Sequence, residues 1–103
     1  MLKFFKELFA PAIFIKGVLR YTQNNFAESK EFLQDAGKRK PDLTNDNFYK
    51  AVLLLVEYKL GSKGYRHKFQ EALDSLKDSQ YQNTNDYSLV VADLKQLIDK
   101  LDT

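Results

Sequence analysis

The stretch IFIKGVLRYTQNNFAESKEFLQDAGKRKP, residues 13 to 41, decides the reading of this chain. Two apolar-edged segments flank Asn24-Asn25, a pair that tolerates left-handed backbone and caps helix starts. Gly17, Ser29, Leu33, Ala36 and Pro41 fall where two helices folded back on each other need small, small, apolar, small and stop residues, with Phe26 opening the second helix. Pro11 suits the first turn of a helix, where its missing N–H costs nothing. The spacing therefore predicts one helix from about Pro11 to Gln23 and another from Phe26 to about Lys38, closed by Gly37 and by Pro41 beyond it. Together they make an antiparallel hairpin over residues 11–41.

Working outward, Leu2 to Phe9 reads as a short separate helix, so that residues 1–10 form an N-terminal element. Charges at Lys3, Lys6, Glu7, Lys16 and Arg20 interrupt the greasy start, and no run approaches the roughly 18 apolar residues of a membrane span. The run Leu8 to Ile15 reaches the lower bound of a signal-peptide core, but Pro11 breaks it and no cleavage motif follows. Beyond Pro41, the capping cluster Asp42 to Asp46 precedes Phe48 to Leu60, whose middle reads AVLLLV. A helix apolar on nearly every side is covered on most sides, so this one is central. Gly61 and Gly64 bracket a turn, then Tyr65, Phe69, Leu73 and Leu76 recur at helical spacing, giving a second hairpin over 44–79.

A polar linker, Gln80 to Asn83, leads to Tyr87, Val90, Leu94, Leu97, Ile98 and Leu101, the narrow stripe of a capping helix over 84–103. Thr84-Asn85-Asp86-Tyr87 echoes Thr44-Asn45-Asp46-Asn47-Phe48, either as a trace of repetition or because both are good helix caps. Phe4-Phe5 and Val52 to Val56 do not alternate and lack hairpin turn chemistry, so the chain is read as all-α. At 103 residues, with 44% hydrophobic and 29% charged residues, it forms one domain, residues 1–103, with one modest core.

Ile13, Gly17, Tyr21, Ser29, Leu33, Ala36 and Pro41 together resemble the tetratricopeptide repeat. Lys16 stands where the family has Leu, Arg20 where it has Tyr, and Ser29 where it has Ala. A second, more degenerate unit begins at Thr44, keeps Ala51 and Leu54, and needs extra residues before Tyr65. The resemblance implies antiparallel helical hairpins stacked as a short solenoid, with a protein or peptide partner bound on the concave face made by the first helix of each hairpin. On this chain that face includes Phe14, Val18, Tyr21, Phe48, Val52 and Leu55. These six residues either line an open groove or are core beneath the N-terminal or final helix. The family's basic clamp for carboxylate tails has no counterpart, because Phe14 and Val18 occupy its places.

Charge is polarised: residues 1–68 carry 13 Lys/Arg against 7 Asp/Glu, and residues 69–103 carry 3 against 7. Lys38, Arg39 and Lys40, with Lys63, Arg66 and Lys68, could gather into a basic patch at the hairpin tips, or stay solvated while the first three complement the dipole ending their helix. A pI of about 8.8 without a recognised motif does not point to nucleic acid. His67, the single histidine, lies in RHK, a cationic surface context; the carboxylates look like helix-face and capping residues, and there is no cysteine. Gly61-Ser62-Lys63-Gly64 lacks the strand and spacing of a phosphate loop. No catalytic, metal or cofactor residues are therefore expected, and a cytoplasmic location is. Three readings follow: a non-catalytic binding module, an immunity-type inhibitor that blocks a toxin, or a membrane-surface or assembly protein using FFKELFAPAIF. Homo-oligomerisation is compatible with each.

Overall fold

Helix α1 runs from Leu2 to Thr22 in the computed structural model, which describes residues 2–82 and 84–101, with side chains from residue 7 onward. It is followed by α2 (Phe26–Arg39), α3 (Asn47–Lys59), α4 (Arg66–Ser75) and α5 (Tyr87–Lys100), with short 3-10 turns at Pro41–Asn45 and Leu76–Asp78. The fold is all-α. Met1 and the last two residues of the capping segment, 102–103, lie outside the described residues.

The two helices expected on either side of Pro11 are one. Inside a helix Pro11 gives up the bond to the Glu7 carbonyl, at a cost of about 3 kcal/mol. Continuous register keeps Ala10 and Phe14, both fully buried, on one inner face a turn apart. Burying a phenylalanine is worth roughly 1.5–3 kcal/mol, and the rest of that face adds to it, so packing overrides the local signal.

The turn into α2 is built by Asn24, whose φ of 63° is left-handed. Its N–H donates to the Tyr21 carbonyl and that of Asn25 to the Arg20 carbonyl, closing the helix end with paired backbone bonds. The returning helix then packs closely. A Cβ at Gly17 would stand 3.1 Å from Leu33 Cγ and Cδ2, so the missing side chain is the space Leu33 fills. Beside it the buried Ser29 hydroxyl donates to the Gly17 carbonyl at 2.6 Å. Small residues thus bring the two backbones together, and the hydroxyl is satisfied without water.

Helix α3 touches α1, α2, α4 and α5, which fits its nearly all-round apolar surface. Its start is fixed by Asp46, whose carboxylate accepts from the N–H groups of Phe48 (2.8 Å) and Tyr49 (3.0 Å). Its end repeats the design of the first turn: Gly61, at φ 110°, lets the Ser62 N–H reach the Glu57 carbonyl at 2.9 Å. Asp86, the counterpart of Asp46 in the sequence echo, makes no side-chain cap bond to α5, so the two aspartates do not play the same part.

The stretch after α4 is more than a linker. Ser79, buried, donates its hydroxyl to the Asp46 carboxylate at 2.9 Å and accepts the Tyr81 N–H at 3.1 Å. That positions the Tyr81 ring 5.0 Å from Phe14 and 6.0 Å from Phe48, while Tyr87 stands 6.0 Å from Phe48. An aromatic centre drawn from α1, α3 and the approach to α5 therefore closes the core.

Candidate functional site

The groove expected from Phe14, Val18, Tyr21, Phe48, Val52 and Leu55 is not open: none of the six is more than 3% exposed. Tyr81 and Tyr87 lie against its aromatic end, and at its other end the Tyr21 hydroxyl donates to the Asp93 carboxylate of α5. Burial, then that bond and the carboxylate's charge, push the Tyr21 phenol far above its ordinary range. Burial likewise raises Tyr49, whose hydroxyl donates to the Leu33 carbonyl at 2.8 Å, and Tyr81. These residues are core, covered by parts of the chain some 30 to 70 positions away.

The expected basic patch is divided. Lys38, Arg39 and Lys40 end α2 and lie near the start of α3, whereas Lys63, Arg66 and Lys68 follow its end. The length of α3, about 20 Å, lies between Lys38 to Lys40 and the turn that carries Lys63 and Arg66, while Lys68, on α4, turns back to the α3–α4 face. Arg39 is further held by Asp35 on its own helix at 3.0 Å. His67 is exposed, with its ring 5.8 Å from that of Tyr65. Among the described residues no His, Asp and Glu side chains gather at metal-ligand spacing, and no helix is long and apolar enough to cross a membrane. Two open depressions have mixed polar and apolar walls, one between α3 and α4 lined by Asn47, Lys50, Leu54, Lys68, Glu71 and Ala72, another lined by Gln34, Lys38, Thr44 and Tyr49.

The other side of α1, read in the sequence only as part of a membrane-surface or assembly segment, is exposed. Leu8 (55%), Ile15 (42%) and Leu19 (44%) are exposed, with Ala12 also exposed between them and Phe9 (54%) at the edge. Successive spacings of four, three and four residues put Leu8, Ala12, Ile15 and Leu19 in one stripe. The stripe lies opposite Ala10, which is buried, and Gly17, which meets Leu33 of α2. Its neighbouring cations turn away. Lys16 Nζ sits 5.6 Å from the Phe32 ring centroid, and Arg20 donates to Glu28 at 2.6 Å while stacking 5.9 Å from the same ring. The guanidinium holds the Glu28 carboxyl below its ordinary range. The stripe is thus apolar and uncharged along its length, a surface for burial and not for chemistry.

The signal for it was present in the sequence as that four-three-four spacing. A signal segment or a span depends on the length of the run Leu8 to Ile15, and a membrane-surface or assembly helix on FFKELFAPAIF as a whole; neither depends on that spacing. Compared with known proteins, the chain matches no family model, no curated protein and no solved structure.

Proposed function

We propose that this protein is a non-catalytic protein-binding element, built as a short stack resembling tetratricopeptide repeats, that engages its partner through the outer face of α1. The order of neighbours supports the stack: α1 lies beside α2, α2 beside α3, α3 beside α4 and α4 beside α5, while α3 also touches α1 and α5. The exposed stripe Leu8, Ala12, Ile15 and Leu19 carries the docking reading, since large aliphatic side chains half in water on the longest helix gain by being covered. The partner meets the outside of the first hairpin instead of its interior. Site-specific photo-cross-linking tests this: a reactive side chain at Ala12 forms protein adducts, and one at Lys77, exposed elsewhere, does not. Equal yields from both positions, or none from Ala12, remove the reading.

A second reading, an inhibitor that covers an acidic active site, is favoured by the tip between α3 and α4. Lys59, Lys63, Arg66 and Lys68 are all exposed there, and residues 58–70 contain no acidic side chain. Co-purification of a toxin that is lost in Lys63→Glu/Arg66→Glu, and kept in Ile15→Asp, selects this reading over the first.

A further inference from the structure

We infer that the outer face of α1 is occupied by a second copy of this chain, the two helices packing antiparallel in a weak, reversible dimer. This rests on reading that face as the docking surface, and three observations narrow the occupant. The spacing of Leu8, Ala12, Ile15 and Leu19 is the rhythm a helix presents to another helix, and the sequence carries it back to Phe5. The seam is narrow, bordered by exposed Lys16 and Gln23, where a membrane-surface helix has a broad apolar arc.

Size complementarity comes next. Turned end for end about its middle, the stripe sets Ala12 against Ile15 of the second copy and Leu8 against Leu19, a small side chain opposite a branched one and two leucines opposite each other. In the same register Lys16 lies opposite Pro11, so identical charges do not meet across the seam. Opposed helix dipoles favour the antiparallel sense.

Area sets the strength. Leu8, Phe9, Ile15 and Leu19 are about half exposed, which at roughly 100 Å² apiece gives ~400 Å² per copy, against about 800 Å² per partner in a standard stable interface. A dimer of this size is weak and transient.

Sedimentation velocity of the full chain from micromolar to sub-millimolar concentration tests the pairing. The expected result is a concentration-dependent shift from monomer to dimer that Ile15→Asp abolishes with an unchanged circular dichroism spectrum. Ala12→Glu, on an exposed alanine, gives the same loss should Ile15→Asp fail to fold. Because the chain has no cysteine, single-cysteine variants read the register directly. Leu8→Cys mixed with Leu19→Cys forms disulfide-linked dimers, and each alone remains uncrosslinked. Efficient cross-linking of Leu19→Cys alone overturns the antiparallel arrangement. A monomer at every concentration overturns the second copy as occupant, as does a monomer that binds phosphatidylglycerol vesicles through the stripe. In that monomeric case, adducts from Ala12 to another protein leave the docking face standing, whereas no adducts at all remove both.

Discussion

The two sides of α1 are similar in hydrophobicity and opposite in fate. The inner side, Ala10, Phe14, Gly17, Val18 and Tyr21, is buried against the rest of the fold; the outer side, Leu8, Ala12, Ile15 and Leu19, stands in water. What separates them is size and shape. The inner side has small residues where a backbone or a leucine must approach and one large ring where the aromatic centre needs it. The outer side is mostly large aliphatic residues spaced for another helix. Apolar periodicity therefore marks both faces of α1, and the close approach of Leu33 at Gly17 marks the one that the same chain covers.

Breaking the inner side should cost most. Phe14→Ala removes the ring that Phe48, Tyr49 and Tyr81 surround, and a loss of roughly 3–5 kcal/mol is expected. Thermal unfolding followed by circular dichroism should fall by about 15 °C or more; a fall of a few degrees would show that the centre repacks. Asp46→Ala should cost about 1–2 kcal/mol, since it removes two bonds to the start of α3 and the acceptor for Ser79. Hydrogen exchange should rise around Tyr81 more than around Val18.

Alkaline pH probes the same side more gently. Tyr21, Tyr49 and Tyr81 hold their protons more tightly in the fold than in the unfolded chain, chiefly through burial. Unfolded phenols ionise near pH ~10, so the stabilisation is complete below that value and is lost as pH rises through and beyond it. The urea midpoint should stay level between about pH 7 and 9 and fall above ~10. Tyr21→Phe, which removes the bond to Asp93 and costs about 1 kcal/mol at neutral pH, should make that fall shallower. On the outer side, Ile15→Asp should change monomer stability by less than about 1 kcal/mol while altering association. A loss comparable to that of Phe14→Ala would merge the two sides into one core.

Much of the first hairpin was legible because its signals are local or one helical pair apart. Asn24-Asn25 names its turn, and Gly17, Ser29 and Leu33 name their own close approach. The central position of α3 was legible from the absence of a polar side. Pro11 misled, since the rule placing proline at a helix start weighs only backbone bonds, and the burial of Ala10 and Phe14 decided otherwise. For Phe14, Val18 and their neighbours the sequence leaves groove and core both open, and the structure shows core. Its cover comes from Ser79, Tyr81, Tyr87 and Asp93, and no spacing in the sequence ties those residues to Phe14, Phe48 or Tyr21. Composition leaves open whether the basic residues gather or stay solvated, and the length of α3 sets Lys38 to Lys40 apart from Lys63 and Arg66. The outer stripe of α1 is present in the spacing of Leu8, Ala12, Ile15 and Leu19, but spacing alone does not say whether such a face is covered within the chain.

The clasp between Asp46 and Ser79 also bears on how the molecule is made. Phe48 leaves the ribosome 33 residues ahead of Tyr81, which at ~5–20 residues per second is roughly 2–7 s. Through that interval Phe14 and Phe48 have no lid, and the nascent hairpins show chaperones an aromatic face that the finished protein hides. Ser79 and Tyr81 end that exposure, and a ribosome stalled just before them would leave a chain prone to clump.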